Sequence, residues 1–328
     1  MMPLLEKVAG VDVHKDQITI TTLVRSSLDS GGKTETWESK TFTSDLERCG
    51  QKLLRDGIRE VAMESTGIYW RPIFNVWSKM GLNITLGNAT HIKNVPGRKT
   101  DVKDSEWIAE LHSCGLIRKS YIPNEEFQQL RTLTRHRKSI TGDIATVKNR
   151  IQKILEDGNV KLSSVLSDIF GVSGMSVLKA ISAGETDPDR LVMQVTTKVQ
   201  CTKEVLKKSL THRLNQKQIF VLQSLMTQMF YLQQLHDETD KVIKECLMPH
   251  QELLELLDTI PGVDEKLAED ILAEATTNMA VFKDERHFAA WAGVAPGNNE
   301  SAGKKKVQMS QRQPHIEEMP GPSGKRGN

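Results

Sequence analysis

An aspartate stands inside an apolar strand near the start of this 328-residue chain, and no other residue constrains its fold as much. Lys7 to Val13 reads KVAGVDV and Gln17 to Val24 reads QITITTLV. Both runs are rich in Val, Ile and Thr with partial alternation, and polar His14-Lys15-Asp16 joins them. That pattern predicts a strand, a tight turn and a second strand. Along such a strand Val11 and Val13 share one face and Asp12 points to the other. A carboxylate in that position must be solvated at an edge, paired, or bound to a cation.

The rest of residues 1–123 reads as mixed α/β. Trp37 to Phe42 predicts a third strand, and Ser44 to Leu54 a helix behind a serine cap. Glu60 to Met63 and Asn83 to Leu86 are short buried-strand patterns, and Thr100 to Gly115 is helical and closes on a glycine. After Pro123 the character changes. Residues 124–157 carry a stripe of Leu130, Leu133, Ile140, Ile144, Val147, Ile151 and Ile154. Residues 216–247 carry another, of Ile219, Leu222, Leu225, Met229, Leu232, Leu235 and Val242. The spacing averages close to 3.5 and predicts long helices in coiled-coil packing, with shorter helices between them. The expected domains are therefore an α/β domain over 1–123, a helical coiled-coil region over 124–250 and a small helical unit over 251–303. A disordered tail is expected over 304–328.

Four acidic residues sit where chemistry is plausible. Asp12 is one; Glu64 ends an apolar strand just before Ser65-Thr66-Gly67; Asp101 and Asp104 lie three apart at the start of a helix. Hard divalent cations take oxygen ligands, and this supply suits two magnesium ions (or manganese) clamping a phosphoryl displacement. On the residues alone, Asp101 and Asp104 equally suit a helix N-terminal dipole.

Three runs carry a family resemblance: VAGVDVHK, MESTGIYW and GRKTDVKDSEWIAELHSCGLI. They resemble the DEDD-type recombinases of the insertion-sequence one-ten family of bacterial mobile elements. The resemblance implies a RuvC-like, RNase H-type catalytic domain whose metal ligands fall on Asp12, Glu64, Asp101 and Asp104. It also implies a second, C-terminal transposase domain, helix–hairpin–helix-like at IPGVDEKLAEDILAEA, which supplies a catalytic serine at Ser301. A serine hydroxyl can attack a phosphodiester and hold the broken strand, provided metal or a base activates it. Family members usually continue past the serine with a basic stretch and a further helix. Here KKKVQMSQRQPHIEEMPGPSGKRGN follows, which reads as a truncated or frameshifted end. The resemblance further implies a non-coding guide RNA that pairs with target and donor DNA. The rival readings are a RuvC-like nuclease that uses water, and an inactive nucleic-acid-binding remnant.

Charge supports a nucleic-acid partner only locally. Lys plus Arg total 44 against 42 Asp plus Glu, a net charge of +2. Between Arg131 and Lys153, however, Arg131, Arg135, Arg137, Lys138, Lys148, Arg150 and Lys153 face a single acid, Asp143. A basic stripe on a long helix suits phosphates of double-stranded DNA. Arg98, Lys99 and Lys103, with His91 and Lys93, add positive charge beside the acidic residues, and Trp70 reads as a core residue more than as one that stacks on a base. Self-association through the helical stripes predicts a homo-oligomer, a dimer or tetramer. No run approaches the ~18 apolar residues of a membrane span. The N-terminus lacks a signal-peptide pattern, and the four cysteines form no CxxC pair, so a cytoplasmic protein is expected.

Overall fold

A computed structural model describes residues 4–25, 32–65, 67–95, 103–117, 119–196, 199, 201–292, 299–301 and 304–306. The chain forms two compact units, Met1–Ile122 and Pro123–Asn328.

The first unit is built on a five-stranded sheet of β1 (Lys7–Val13), β2 (Gln17–Val24), β3 (Lys33–Lys40), β4 (Glu60–Glu64) and β5 (Asn83–Gly87). The strand order is β3-β2-β1-β4-β5. The first three strands are antiparallel, whereas β4 and β5 run parallel to β1. This is the RNase H-type α/β arrangement that the family resemblance implies. The third strand starts and ends earlier than the residue pattern predicts. Its register explains why: β3 pairs along the whole of β2, from Val24↔Lys33 to Gln17↔Lys40, so the turn at His14–Asp16 ends the ladder at Lys40. Phe42 then becomes the N-cap of helix α1 (Thr43–Arg55), without a side-chain cap bond, in place of the expected serine.

Each face of the sheet has its own cover. Ala9, Val11, Val13, Ile18, Ile20, Val61, Met63, Ile84 and Leu86 form a core with Leu46, Cys49 and Leu53 of α1 and with Ile73 and Trp77 of α2 (Trp70–Lys79). The Trp77 indole N–H donates to the Leu46 carbonyl at 2.7 Å, which satisfies the one polar atom of a fully buried ring. The sequence reading omits α2, because Arg71-Pro72 breaks the apolar pattern; yet Pro72 lies in the first turn, where its missing N–H costs nothing.

The opposite face packs on α4 (Asp104–Ser113), with the short α3 (Ala89–Asn94) alongside. Ala62, Ile92, Ile108 and Leu111 form one cluster there, and Val8, Leu23 and Ala109 another. Gly10 is the point of closest approach. A Cβ at this residue would collide with the Ser105 carbonyl oxygen and the Ala109 backbone nitrogen, and would lie 2.9 Å from the Ala109 Cα. Beside it the Thr21 and Ser105 hydroxyls share a hydrogen bond of 2.8 Å.

The second unit holds two long helices, α5 (Glu125–Asp157) and α9 (Gln216–Leu247). Between them come α6 (Val172–Ser182), α7 (Pro188–Met193) and α8 (Lys203–Leu210). Asn124 caps α5, and Asn215 caps α9 in a reciprocal capping box with Gln218. The two long helices pack antiparallel. Phe127 and Leu130, early in α5, meet Ile243 and Leu247, late in α9. Val147, Ile151 and Leu155 share a core with Leu222, Met226 and Met229. The apolar stripes therefore meet each other within one chain. Near its end the α9 stripe passes through Ile243, while the expected Val242 is exposed. Next come α10 (Gln251–Asp258), α11 (Glu265–Ala275) and α12 (Glu285–Trp291), and Leu272 and Ala273 of α11 join the Phe127–Leu247 core. A two-stranded ribbon of β6 (Asn299–Ser301) and β7 (Lys304–Lys306) follows. The tail expected from Lys304 is thus a strand over its first three residues, where β7 pairs with β6, and from 307 on it lies outside the described residues. Among the described residues, no helix is long and apolar enough to cross a membrane.

Two outcomes test this packing. Alanine normally suits a strand better than glycine does, so intrinsic propensity favours Gly10→Ala. Overpacking against α4 reverses that sign, and chemical denaturation should show a loss of about 1–3 kcal/mol. The second concerns His112 of α4, which is buried, with its Nε2 lacking a hydrogen-bond partner among the described residues. Burial pulls its imidazole below the ordinary value, against a smaller opposing pull from Glu60. A depressed folded pKa means that protonation favours the unfolded chain. Its contribution is complete above about pH 6.5, the unfolded value, and is lost as pH falls through the folded one. Melting temperature measured from neutral to mildly acidic pH should fall less steeply for His112→Phe than for the parent.

Candidate active site

Asp12 is the penultimate residue of β1 and pairs with Thr19 of β2. Strands β1 and β4 run in parallel register as far as Val11↔Met63, so one step further sets Asp12 beside Glu64. Both then lie on the face of Gly10 and Ala62, which α4 covers. Helix α4 runs antiparallel to β1: Ser105 lies over Gly10, while Ala109 reaches Val8. Its first residue, Asp104, thus points back toward the Asp12 end of the sheet. Sheet register and one helix direction bring two strand-end carboxylates and a helix-start carboxylate to the same corner.

The Asp12 side chain is about a quarter exposed, at 26%, and its Oδ2 lies 3.2 Å from Nε2 of the largely exposed His14. The turn fixes His14, whose backbone N–H donates to the Gln17 carbonyl at 3.0 Å. The sequence reading missed this partnership, although i and i+2 positions at a strand end share a face. Glu64 is half-buried, Asp104 is exposed, and each has a polar interaction of its own. Asp101, Arg98 and Lys99 lie outside the described residues, and Lys103 is the exposed N-cap of α4. No three His, Cys, Asp or Glu side chains converge to metal-binding distance among the described residues. The acids at the corner, Asp12, Glu64 and Asp104, nonetheless supply the carboxylate oxygens that hard divalent cations select, with the His14 imidazole beside them. Ser301, of the second unit, ends β6 opposite Lys304.

The basic stripe of α5 is divided. Arg137, expected among the phosphate contacts, is instead only 4% exposed and is surrounded by carboxylates. Its guanidinium donates to Asp240 at 2.8 Å, to Asp270 at 2.8 Å and to the buried Glu269. Arg135 donates twice to Glu274, at 2.8 and 3.0 Å. Arg131 donates to the Ala273 carbonyl at 3.0 Å and to the Glu274 carbonyl. These three arginines fasten α5 to α11, and the reason is acidic charge supplied from more than a hundred residues away. Lys138 and Lys148 are half-buried, and the Lys148 ammonium sits 5.0 Å from the centre of the Phe170 ring. Arg150 and Lys153 are exposed. Trp70 is half-buried, packs against the core and meets Phe74 edge-on, with ring centres 5.9 Å apart, as the core reading expects.

One guanidinium shared by three carboxylates splits their acidities. Burial pushes Glu269 and Asp270 above the ordinary carboxylate range, and Arg137 offsets this only in part. Burial pushes Asp240 up as well, but the Arg137 hydrogen bond and charge outweigh it and hold that carboxyl low.

The fold and the carboxylate corner define an RNase H-type α/β domain coupled to a helical unit, the build of a nucleic-acid-processing enzyme. Two family models match the chain. A DEDD transposase model of the IS110 group covers residues 9–159, and one described as transposase of the IS116/IS110/IS902 family covers residues 254–316. Both units are matched, and the chain belongs to the IS110 family of transposases. No curated protein matches the sequence. Similar solved structures include RuvC from T. thermophilus in complex with a Holliday junction substrate. That match has 12% identity and a TM-score of 0.27, and covers 35% of this chain and 100% of that one. Another is a Thermus thermophilus RuvC structure, with 14% identity and a TM-score of 0.25, covering 36% of this chain and 85% of that one.

Removing one partner from a buried ion cluster leaves the others uncompensated. Arg137→Met should therefore lower the stability of the second unit by about 3–5 kcal/mol in denaturant titration. A solvated surface arginine would show a change near zero.

Proposed function

We propose that this transposase cuts and rejoins DNA at a divalent-metal site held by Asp12, Glu64, Asp101 and Asp104, with Ser301 as the nucleophile. The observation that supports it most is the β1–β4 register, which runs to Val11↔Met63 and so ends with Asp12 and Glu64 as the next residues of the two parallel strands. Bound magnesium or manganese would polarise the scissile phosphate and neutralise charge that develops on it. Asp12 and Glu64 stand on strands and Asp104 on the first turn of a helix, so in this proposal rigid elements would carry three of the ligands. In the proposed step the Ser301 hydroxyl oxygen attacks phosphorus and forms a P–O bond. The bond to the departing sugar oxygen breaks, and that oxygen takes up a proton while the serine proton passes to a carboxylate or to solvent. Rejoining is the reverse attack by a sugar hydroxyl, which releases the serine. The histidines nearest Ser301 in sequence, His287 and His315, each lie fourteen residues away, and the Nδ1 of His287 pairs with Asp284 at 2.6 Å. Activation of the serine therefore falls to the metal-site carboxylates.

Double-stranded DNA is the proposed partner, held in part by Lys148, Arg150 and Lys153 through phosphate contacts that carry no sequence preference. A non-coding guide RNA follows from the family resemblance and belongs to the same proposal, as do a dimeric or tetrameric assembly and cytoplasmic location.

Asp12→Asn should abolish strand cleavage and leave DNA affinity within about twofold, since it removes a ligand and no phosphate contact. A covalent protein–DNA adduct should form with the parent and disappear in Ser301→Ala. Cleavage that persists in Ser301→Ala without an adduct identifies water as the nucleophile. Mixing Ser301→Ala with Asp12→Asn then reads how the site is shared. Recovered activity means that one chain's serine works with another chain's carboxylates, and no recovery means that each chain supplies both.

A further inference from the structure

We propose that the exposed turn Gly67–Tyr69, together with Arg71, forms a nucleotide-binding subsite that takes one unstacked base of the strand being cut. This inference rests on the DNA-processing reading above and assigns a part of the site that the carboxylates do not provide. Ile68 is 67% exposed and Tyr69 is 42% exposed, whereas Trp70 and Ile73, just beyond them, turn into the core. Two large apolar side chains in succession stay in water at the end of the sheet where Glu64 sits. The turn is a defined one. Gly67 adopts a left-handed φ of 58°, and the Ile68 carbonyl accepts from the Arg71 N–H at 3.2 Å. Arg71 is itself exposed, with its guanidinium carbon 5.8 Å from the centre of the Trp70 ring.

Distance suits this role. Gly67 follows Glu64 by three residues, a span of at most about 10 Å. At a rise of roughly 3.4 Å per nucleotide, the turn lies within about three nucleotides of a phosphate held at the carboxylate corner. The chemistry also matches a nucleotide better than a protein surface. A flat ring and a branched aliphatic side chain suit the faces of a base, and a cation two residues on suits the adjoining phosphate. Trp70 packs edge-on against Phe74, whereas Tyr69 beside it presents an exposed ring.

The test uses the full chain in metal-free buffer with a short oligothymidylate carrying a single 2-aminopurine. Tyr69→Ala should weaken binding roughly 5- to 100-fold, the range of base–aromatic stacking, and Ile68→Ala should also weaken it. Tyr69→Phe should stay within about twofold of the parent, because the ring and not the hydroxyl does the stacking. The salt dependence should be unchanged in Tyr69→Ala, and its slope should fall by roughly 0.7 in Arg71→Gln. Quenching of the 2-aminopurine should be lost with the tyrosine ring. Parental affinity in Tyr69→Ala, or equal losses in Tyr69→Phe and Tyr69→Ala, would overturn the assignment. So would a Tyr69→Ala chain that changes only its self-association, which would mark the turn as a protein contact. Asp12→Asn separates the two readings: it stops cleavage and leaves all of these binding measurements in place.

Discussion

The seating of α4 on Gly10 is the contact on which the first unit depends. Because residue 10 lacks a Cβ, the helix backbone comes down onto the strand itself, with the Ser105 carbonyl and the Ala109 amide at the place a side chain would occupy. A larger residue would lift α4 and empty the space that Ile108 and Leu111 fill against Ala62. The helix direction follows from the same contact, since Ser105 meets Gly10 while Ala109 meets Val8 and Leu23. That direction delivers Asp104 to the end of β1 that carries Asp12. On the other face α1 and α2 supply an ordinary apolar core, so a polar corner on one side does not compromise stability on the other.

The second unit solves a different electrostatic problem. Its long helix α5 is rich in arginine, and the net charge of the chain is only +2. Part of the balance is local. Glu269, Asp270 and Glu274 recur along one side of α11 and engage Arg131, Arg135 and Arg137, with Asp240 of α9 completing the cluster. Burial of that many charges offers little net stabilisation over an apolar contact, but it is specific: each guanidinium accepts only one register of α11 against α5. The charges left for phosphate are correspondingly fewer and lie further along α5, at the half-buried Lys148 and the exposed Arg150 and Lys153.

Much of this is legible in the sequence where a local pattern decides the outcome. The β1–β2 hairpin, the two long helices and the acidic residues at strand and helix ends all follow from periodicity and residue type. Strand β3 does not, because its limits are set by pairing along β2 and not by its own residues. Helix α2 was hidden by a proline that the first turn tolerates. The basic stripe misleads for a related reason. Charge along one helix is visible in sequence, whereas the carboxylates that neutralise Arg135 and Arg137 sit 139 and 132 residues away. Asp12 could be singled out at once; its pairing with His14 needs the strand end and turn geometry that places both on one face.

The helical stripes carry the same lesson one level higher. A spacing of 3.5 residues specifies that a helix will bury a narrow seam, but not whose seam it will meet. Here α5 and α9 are joined by a compact set of helices that share their core, and Val147, Ile151 and Leu155 close on Leu222, Met226 and Met229 of the same chain. The seam that suggests pairing between protomers is thereby already filled. Association of copies must draw on other surfaces, and the seam no longer counts toward it. Phe220 and Tyr231, eleven residues apart and hence on one side of α9, are exposed at 67% and 59%. They lie outside the buried set of Leu222, Met226 and Met229, so any contact made through them would leave the intramolecular helix pair intact.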